Sequence, residues 1–353
     1  MDGLRGLLAV YVMLGHALPF TALPLWVCAP FAHGEAAVDL FFCLSGLVLI
    51  QSVERFQGEF LPFMAARARR LLPVYFLALA LSTILLAAGD PLRAMPWVGH
   101  AGRDIWEAAL PPFLLWHLAA HLLLIQGLIP QGALPYAYVT LLGPAWSLST
   151  EWQFYVLIGL LAPKRLAPLA FGLLALGVFY HLIPLPPLWQ FSRAFLPDAA
   201  PFFALGLASA VWLRGGGRFV FAVCLCITCC LGWLSGPEKA LVPLLWALAM
   251  LAQEKPFGSV LAARPLQYLG ALSYPLYLVN EPVQRASLCS SPRWRMVGPR
   301  PSPPYGCLSP CSPLWPPPPP CITLLSCHLC ASRKNCTSRS LPRPFSNEKT
   351  ALE

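Results

Sequence analysis

Charge is what this chain has least of. Only 11% of its 353 residues are Asp, Glu, Lys or Arg, against 57% hydrophobic residues, and the mean hydropathy is +0.63. A soluble domain carries about 25% charged residues, so the shortage excludes that class and points to a polytopic membrane protein. The formal charge of +9 does not mark a nucleic-acid surface, because the basic residues fall between apolar runs. No cleavable signal peptide is expected from these residues: Met1-Asp2 offers no basic stretch, and no evident cleavage site follows the first apolar run. That run begins so soon after Met1 that an upstream start stays open. A zinc framework is missing as well. Cys327-His-Leu-Cys330 has CxxC spacing without a second suitable pair, so no metal site is expected.

What remains is about ten apolar segments, each about long enough to cross a ~30 Å hydrocarbon core. They lie near 4–20, 36–53, 71–88, 109–129, 146–162, 166–183, 199–213, 218–235, 240–253 and 266–285. The expected fold is all-α, a polytopic integral membrane helical bundle. Residues 54–70 carry Arg55, Arg67, Arg69 and Arg70, whereas 18–35 holds no Lys or Arg. The 54–70 loop and Met1 are therefore expected on the cytoplasmic side. If every segment spans, Lys164-Arg165 and Arg214/Arg218 fall outside, against that rule. If 109–129 is re-entrant or interfacial, both clusters return to the cytoplasm, and hydropathy alone leaves the two readings open.

From about Ala286 the sequence changes character to Pro, Ser and Cys, with Pro316 to Pro320 unbroken and seven of the thirteen cysteines. Such a stretch cannot bury enough surface to fold. Residues 1–285 are thus expected to form the membrane domain, and 286–353 a disordered or frame-shifted tail. Asn335-Cys-Thr337 matches a glycosylation sequon, a pattern common by chance, and carries no assigned function.

The most informative polar residues are Arg5 and His16 in the first apolar segment. On an α-helix, eleven steps of about 100° return to within about 20° of the start and climb about 16 Å. Arg5 and His16 are therefore expected on one face, with Arg5 near the helix end and His16 near mid-bilayer. Ionisable groups at such depth are costly enough to suggest function. The competing reading is a helix-end Arg with a His hydrogen-bonded inside the bundle.

Four further polar islands follow Asp2-Gly-Leu-Arg-Gly6 in order. They are Val38-Asp-Leu-Phe-Phe-Cys-Leu-Ser-Gly46, Arg67-Ala-Arg-Arg70-Leu-Leu-Pro73-Val-Tyr75, Trp146-Ser-Leu-Ser-Thr-Glu151-Trp-Gln-Phe-Tyr155 and Leu269-Gly-Ala-Leu-Ser-Tyr-Pro-Leu-Tyr277. Over about residues 1–285 this series resembles the acyltransferase 3 family of integral membrane acyltransferases. The resemblance implies transfer of an acyl group, commonly acetyl, from cytoplasmic acyl-coenzyme A to a sugar, lipid or other acceptor, often at the outer face. The family's Arg-x10-His pattern falls on Arg5 and His16, its Arg-x-x-Arg pattern on Arg67 and Arg70, and its carboxylate motif on Glu151. The short N-terminus and the tail depart from the family pattern.

The chemistry of these residue types agrees. Acyl transfer to a hydroxyl needs a base near neutral pH, which makes His16 the candidate; a covalent acyl-His is also open. Asp39 is a candidate to orient the imidazole, its other reading being a carboxylate favoured by a helix start. Glu151 and Ser147, four residues apart, share a helix face, with capping by Ser147 or Ser149 as the plainer role. Coenzyme A brings a pyrophosphate and a 3′-phosphate, which guanidinium forks suit. Arg67, Arg70 and Arg5 are the donor-binding candidates, against plain positive-inside anchoring, which accounts better for Arg55 and Arg69. No bound cofactor is expected, acyl-coenzyme A being a donor substrate. The expected setting is a bacterial cytoplasmic (inner) membrane.

Other features point to packing. His117 and His121 lack a third ligand and read as interfacial. Cys224, Cys226, Cys229 and Cys230 read as small hydrophobes, and Phe41-Phe42 and Phe202-Phe203 as packing or lipid-facing pairs. Two other functions compete with the transferase. One is a transporter using the Arg5/His16 pair as a substrate or proton path, although no second half repeats the first as many transporter folds do. The other is a non-catalytic membrane partner protein.

Overall fold

Nearly every apolar segment becomes a helix, as backbone groups in lipid must find their hydrogen bonds within the segment. The computed structural model describes residues 1–21, 23–89, 110–252 and 256–290, all within one unit, Met1–Arg300. Among the described residues the main helices are α1 (Asp2–Ala17), α2 (Gly34–Arg55), α3 (Phe60–Ala88), α4 (Leu114–Leu122), α5 (Ala145–Leu161), α6 (Leu166–Leu182), α7 (Leu196–Leu213), α8 (Arg218–Ser235), α9 (Pro237–Ala252) and α10 (Arg264–Ser290). No strand occurs among them. Against the ten crossings expected, five helices among the described residues have the length and apolarity to span a membrane: Asp2–Phe20, Trp26–Arg55, Phe60–Ala88, Leu196–Leu213 and Arg218–Ser235.

Glycines set the tightest helix pairings. A Cβ on Gly6 of α1 would lie 2.8 Å from the Gly270 nitrogen of α10, and one on Gly46 of α2 would lie 3.2 Å from the Gly206 Cα of α7. Both pairs run parallel, since α1 and α10 meet again at His16 and Asn280, and α2 and α7 at Glu54 and Arg214. Aromatic rings fill the centre between α2, α5 and α7. Phe203 stacks on Phe154 at 4.0 Å and meets Phe42 at 4.9 Å; Phe42 and Phe203 are both buried, so these rings pack rather than face lipid.

One end of the bundle collects the basic residues. Arg214 makes a bidentate pair with Glu54 at 2.7 and 3.0 Å. A Cβ on Gly58, in the α2–α3 turn, would lie 3.2 Å from the Ala162 Cβ that ends α5. Lys164-Arg165 and Arg214/Arg218 therefore gather at the same end as Arg55. This is the arrangement expected if 109–129 does not span. Within it, α4 has only nine residues, about 14 Å of helix and too short to cross. Its histidines hold it in place. His117 Nδ1 meets Thr140 Oγ1 at 2.8 Å, His121 Nε2 meets the Ala137 carbonyl at 3.0 Å, and Tyr75 OH donates to the His121 carbonyl at 2.7 Å. Both imidazoles are buried, which corrects the interfacial expectation.

Two boundaries also need correcting. The expected 54–70 loop is short, because Phe60 already begins α3 and puts Arg67, Arg69 and Arg70 inside that helix. The run Phe63-Met-Ala-Ala-Arg-Ala-Arg-Arg70 is made largely of good helix formers, and long Arg stems carry charge away from apolar surroundings. At the other end, α10 continues through Ser290, so Ala286 is helical rather than the start of a tail. Gln284 Nε2, donating to the Met13 carbonyl at 3.2 Å, ties these last turns to α1. His16 lies in the last turn of α1, which ends at Ala17. The rest of the expected tail, 291–353, with Cys327, Cys330 and Asn335, lies outside the described residues.

Candidate functional site

Four helices bring the polar islands together near the basic end. Arg5 comes from α1, Ser45 from α2, Arg67 and Arg70 from α3, and Glu151 and Tyr155 from α5. All six line two adjoining chambers, an outer one of about 500 Å³ and an inner one of about 90 Å³. Helical spacing makes this convergence work: Arg67 and Arg70 lie one turn apart, as do Ser147, Glu151 and Tyr155. Glu151 Oε1 accepts a hydrogen bond from Ser45 Oγ at 2.6 Å and another from the Tyr155 hydroxyl. The Arg67 guanidinium lies 5.3 Å from the Tyr155 ring centre and 5.6 Å from that of Phe63, within cation–π range. Among the described residues no ion pair joins Arg67 or Arg70 to a carboxylate, and Arg5 has only Asp2 at 4.0 Å. Three guanidinium groups and one carboxylate are common to both chambers, a balance that favours an anion. Arg55, expected to be an anchor alone, also lines the outer chamber.

Hydrogen bonds along α10 connect the wall of the inner chamber to His16. Ser147 and Tyr277 share a hydroxyl–hydroxyl bond of 2.9 Å, and both belong to the chamber wall. One turn further along α10, Asn280 donates its amide N–H to the Tyr277 carbonyl. Its Oδ1 lies 3.0 Å from His16 Nδ1. With the amide oriented in this way Nδ1 carries the proton, and His16 Nε2 keeps a lone pair able to accept another. His16 itself lines neither chamber.

Asp39 does not meet His16. It faces α7, 3.5 Å from Arg193 Nη2, and Arg193 also pairs with Glu35 and lies 4.2 Å from the Trp146 ring centre. The expected orienting carboxylate is thus replaced by an amide. The parallel packing of α1 and α10 presents Asn280, while Asp39 lies on the face of α2 turned to α7. Spacing brought Arg5, Arg67, Arg70 and Glu151 to one place but missed Asn280 and Arg193. Asn280 could have been noticed as a lone amide following the apolar run Leu276–Val279; Arg193, between segments, gave no signal. Among the described residues no group of His, Cys, Asp and Glu is arranged to hold a metal ion.

A family model described as "Acyltransferase domain" matches residues 1–294. The chain is similar to "Protein 2 in picA locus" of Rhizobium radiobacter, with 34% identity over 162 residues, covering 43% of this chain and 75% of that protein. It is also similar to "Acyltransferase MdmB" of Streptomyces mycarofaciens, with 26% identity over 205 residues, covering 52% of this chain and 48% of that protein. The chain thus matches about half the length of the second relative. No solved structure matches it. Together with its apolar helices, the family match makes the molecule an integral membrane protein, and the chain belongs to the acyltransferase 3 family of enzymes.

Proposed function

We propose that the protein transfers an acyl group, acetyl in the simplest case, from cytoplasmic acyl-coenzyme A to a hydroxyl of a carbohydrate or similar cell-envelope acceptor. The observation that carries this reading is the cavity itself. Arg5, Arg67 and Arg70 face one space with a single carboxylate, at the end that also holds Lys164, Arg165, Arg214 and Arg218. The positive-inside rule assigns that end to the cytoplasm, where the donor is made, and a bacterial cytoplasmic membrane is the setting this fits. Guanidinium forks would hold the donor's phosphates bidentately.

In this reading the thioester end of the donor passes beyond the inner chamber toward His16. His16 Nε2 accepts the proton of the acceptor hydroxyl, whose oxygen attacks the thioester carbonyl. The carbon–sulfur bond breaks, and the coenzyme A thiolate takes up the proton from His16. Asn280 holds the imidazole in the tautomer this needs. Glu151, fixed by Ser45 and Tyr155, keeps the passage between the chambers polar and faces the guanidinium groups.

The test is donor consumption. Membranes containing the protein, given radiolabelled acetyl-coenzyme A and an extract of candidate acceptors, are expected to label an acceptor. His16→Ala and His16→Gln should reduce labelling by about 10²–10⁴-fold while the protein stays inserted. A wild-type protein that consumes no donor yet accumulates a solute in a His16-dependent way would instead be a transporter.

A further inference from the structure

A second polar cavity, of about 150 Å³, lies at the opposite end of the bundle, where α2, α6, α7, α8 and α9 meet. Its lining includes Asp39 of α2, His181 in the last turn of α6, Arg193 just before α7, Asp198 in the first turn of α7, Ser235 at the end of α8 and Lys239 in the first turn of α9. The chemistry described above uses none of them. Five ionisable groups from separate elements of an apolar bundle meet here, most of them at helix ends and partly exposed.

Arg193 is anchored by Glu35, but two other pairs at this cavity are long. His181 Nε2 to Asp198 Oδ1 and Arg193 Nη2 to Asp39 Oδ1 are each 3.5 Å, longer than the ~2.7–2.9 Å of a closed charge-assisted bond. Among the described residues no ion pair involves Lys239. The two carboxylates accept hydrogen bonds and Arg193 and Lys239 donate them, while the Ser235 hydroxyl, donating to the Leu231 carbonyl of its own helix, is left to accept. Charges of both signs line the wall, so an anionic ligand meets two carboxylates and a cationic one meets Arg193 and Lys239. A neutral ligand carrying several hydroxyls can both donate and accept at each step. The volume equals about five waters at ~30 Å³ each, the scale of one sugar ring. One contact runs from the cavity wall toward the inner chamber. The Arg193 guanidinium that closes its wall stacks on Trp146 at 4.2 Å, the residue before Ser147 of the inner chamber.

We propose that this cavity is a subsite for one neutral sugar ring of the acceptor, positioned at the end of the bundle where His16 also lies. The proposal rests on the hydroxyl-acceptor reading given above, and its test separates the two.

The full chain in lipid nanodiscs is examined by saturation-transfer-difference NMR with the methyl glycosides of glucose, galactose, mannose and rhamnose. Glucuronate and glucosamine serve as charged counterparts, and acetyl-coenzyme A binding is measured on the same preparation. At least one neutral glycoside is expected to bind saturably, at least tenfold more weakly to Asp198→Asn and to Lys239→Met, and equally well to Arg67→Ala. Acetyl-coenzyme A should bind both cavity variants as it binds wild type. Lys239 is exposed, so Lys239→Met keeps the test decisive should Asp198→Asn fail to fold. No saturable neutral glycoside, unchanged glycoside binding in the variants, or preference for either charged sugar would overturn the subsite. Loss of acetyl-coenzyme A binding in the wild type would instead count against the donor reading alone.

Discussion

The two ends of the bundle use arginine in opposite ways. At the basic end, Arg67 and Arg70 line an open chamber, and the one carboxylate there, Glu151, is held by hydroxyls of Ser45 and Tyr155. At the other end, Arg193 is fixed between Glu35 and Asp39 and against the Trp146 ring. The first arrangement leaves positive charge for a ligand to neutralise. The second neutralises the charge within the fold, where it ties α2, α5 and the approach to α7 together. A guanidinium beside a wide polar chamber can keep its charge without a protein partner, whereas one closed in by protein needs its carboxylates.

That contrast gives a graded series of outcomes. The largest is for Arg193→Met, which leaves Asp39 buried without its guanidinium partner. A loss of about 3–5 kcal/mol is expected, toward the low end because Glu35 is exposed, read from the denaturation midpoint in detergent. The KM for acyl-coenzyme A should not move; a raised donor KM would show that the two ends are not independent. Arg67→Ala and Arg70→Ala should do the reverse. Stability stays near wild type, while donor KM rises about 10–100-fold, matching ~1.5–3 kcal/mol for a lost charged hydrogen bond. Lys at either position should recover part of the loss, restoring charge without the fork, and unchanged donor dependence in both alanine variants would make these arginines topology anchors only.

Asn280→Ala is expected to lower kcat about tenfold with donor KM intact, since one hydrogen bond worth ~1–1.5 kcal/mol no longer fixes the imidazole. A change in KM alone would show that Asn280 serves binding. Smallest of all should be Arg214→Ala. Its pair with Glu54 is 45% and 54% exposed on the two sides, and exposed pairs contribute about 0–1 kcal/mol. A large drop in thermal midpoint would reveal a coupling across the basic end that its geometry does not suggest.

Much of the bundle could be read from local pattern because its rules are local. The Arg5–His16 spacing put both residues on one helix face, and α10 meets that face at Gly6 and again at His16. The turn between Arg67 and Arg70 likewise survived, although the start of their helix did not. A run of arginines looks like a boundary in a hydropathy scan, but Phe60 and Leu61 begin the helix before it. Segment 109–129 was ambiguous for a deeper reason. Hydropathy records burial, and a short helix pinned against Tyr75 through His121 is as apolar as one that crosses. Partner choice was the least legible property. Asp39 and Asn280 are both polar residues in apolar helices, and only the pairing of α1 with α10 and of α2 with α7 decides which one reaches His16.

The most direct test of the proposed division between donor binding and chemistry is steady-state transfer from radiolabelled acetyl-coenzyme A, with Arg67→Ala and His16→Ala compared in the same membranes. The predicted result is a split. Arg67→Ala raises donor KM and largely keeps kcat, whereas His16→Ala lowers kcat by about 10²–10⁴-fold and keeps donor KM. Full turnover in His16→Ala, or the same kinetic defect in both variants, would contradict it.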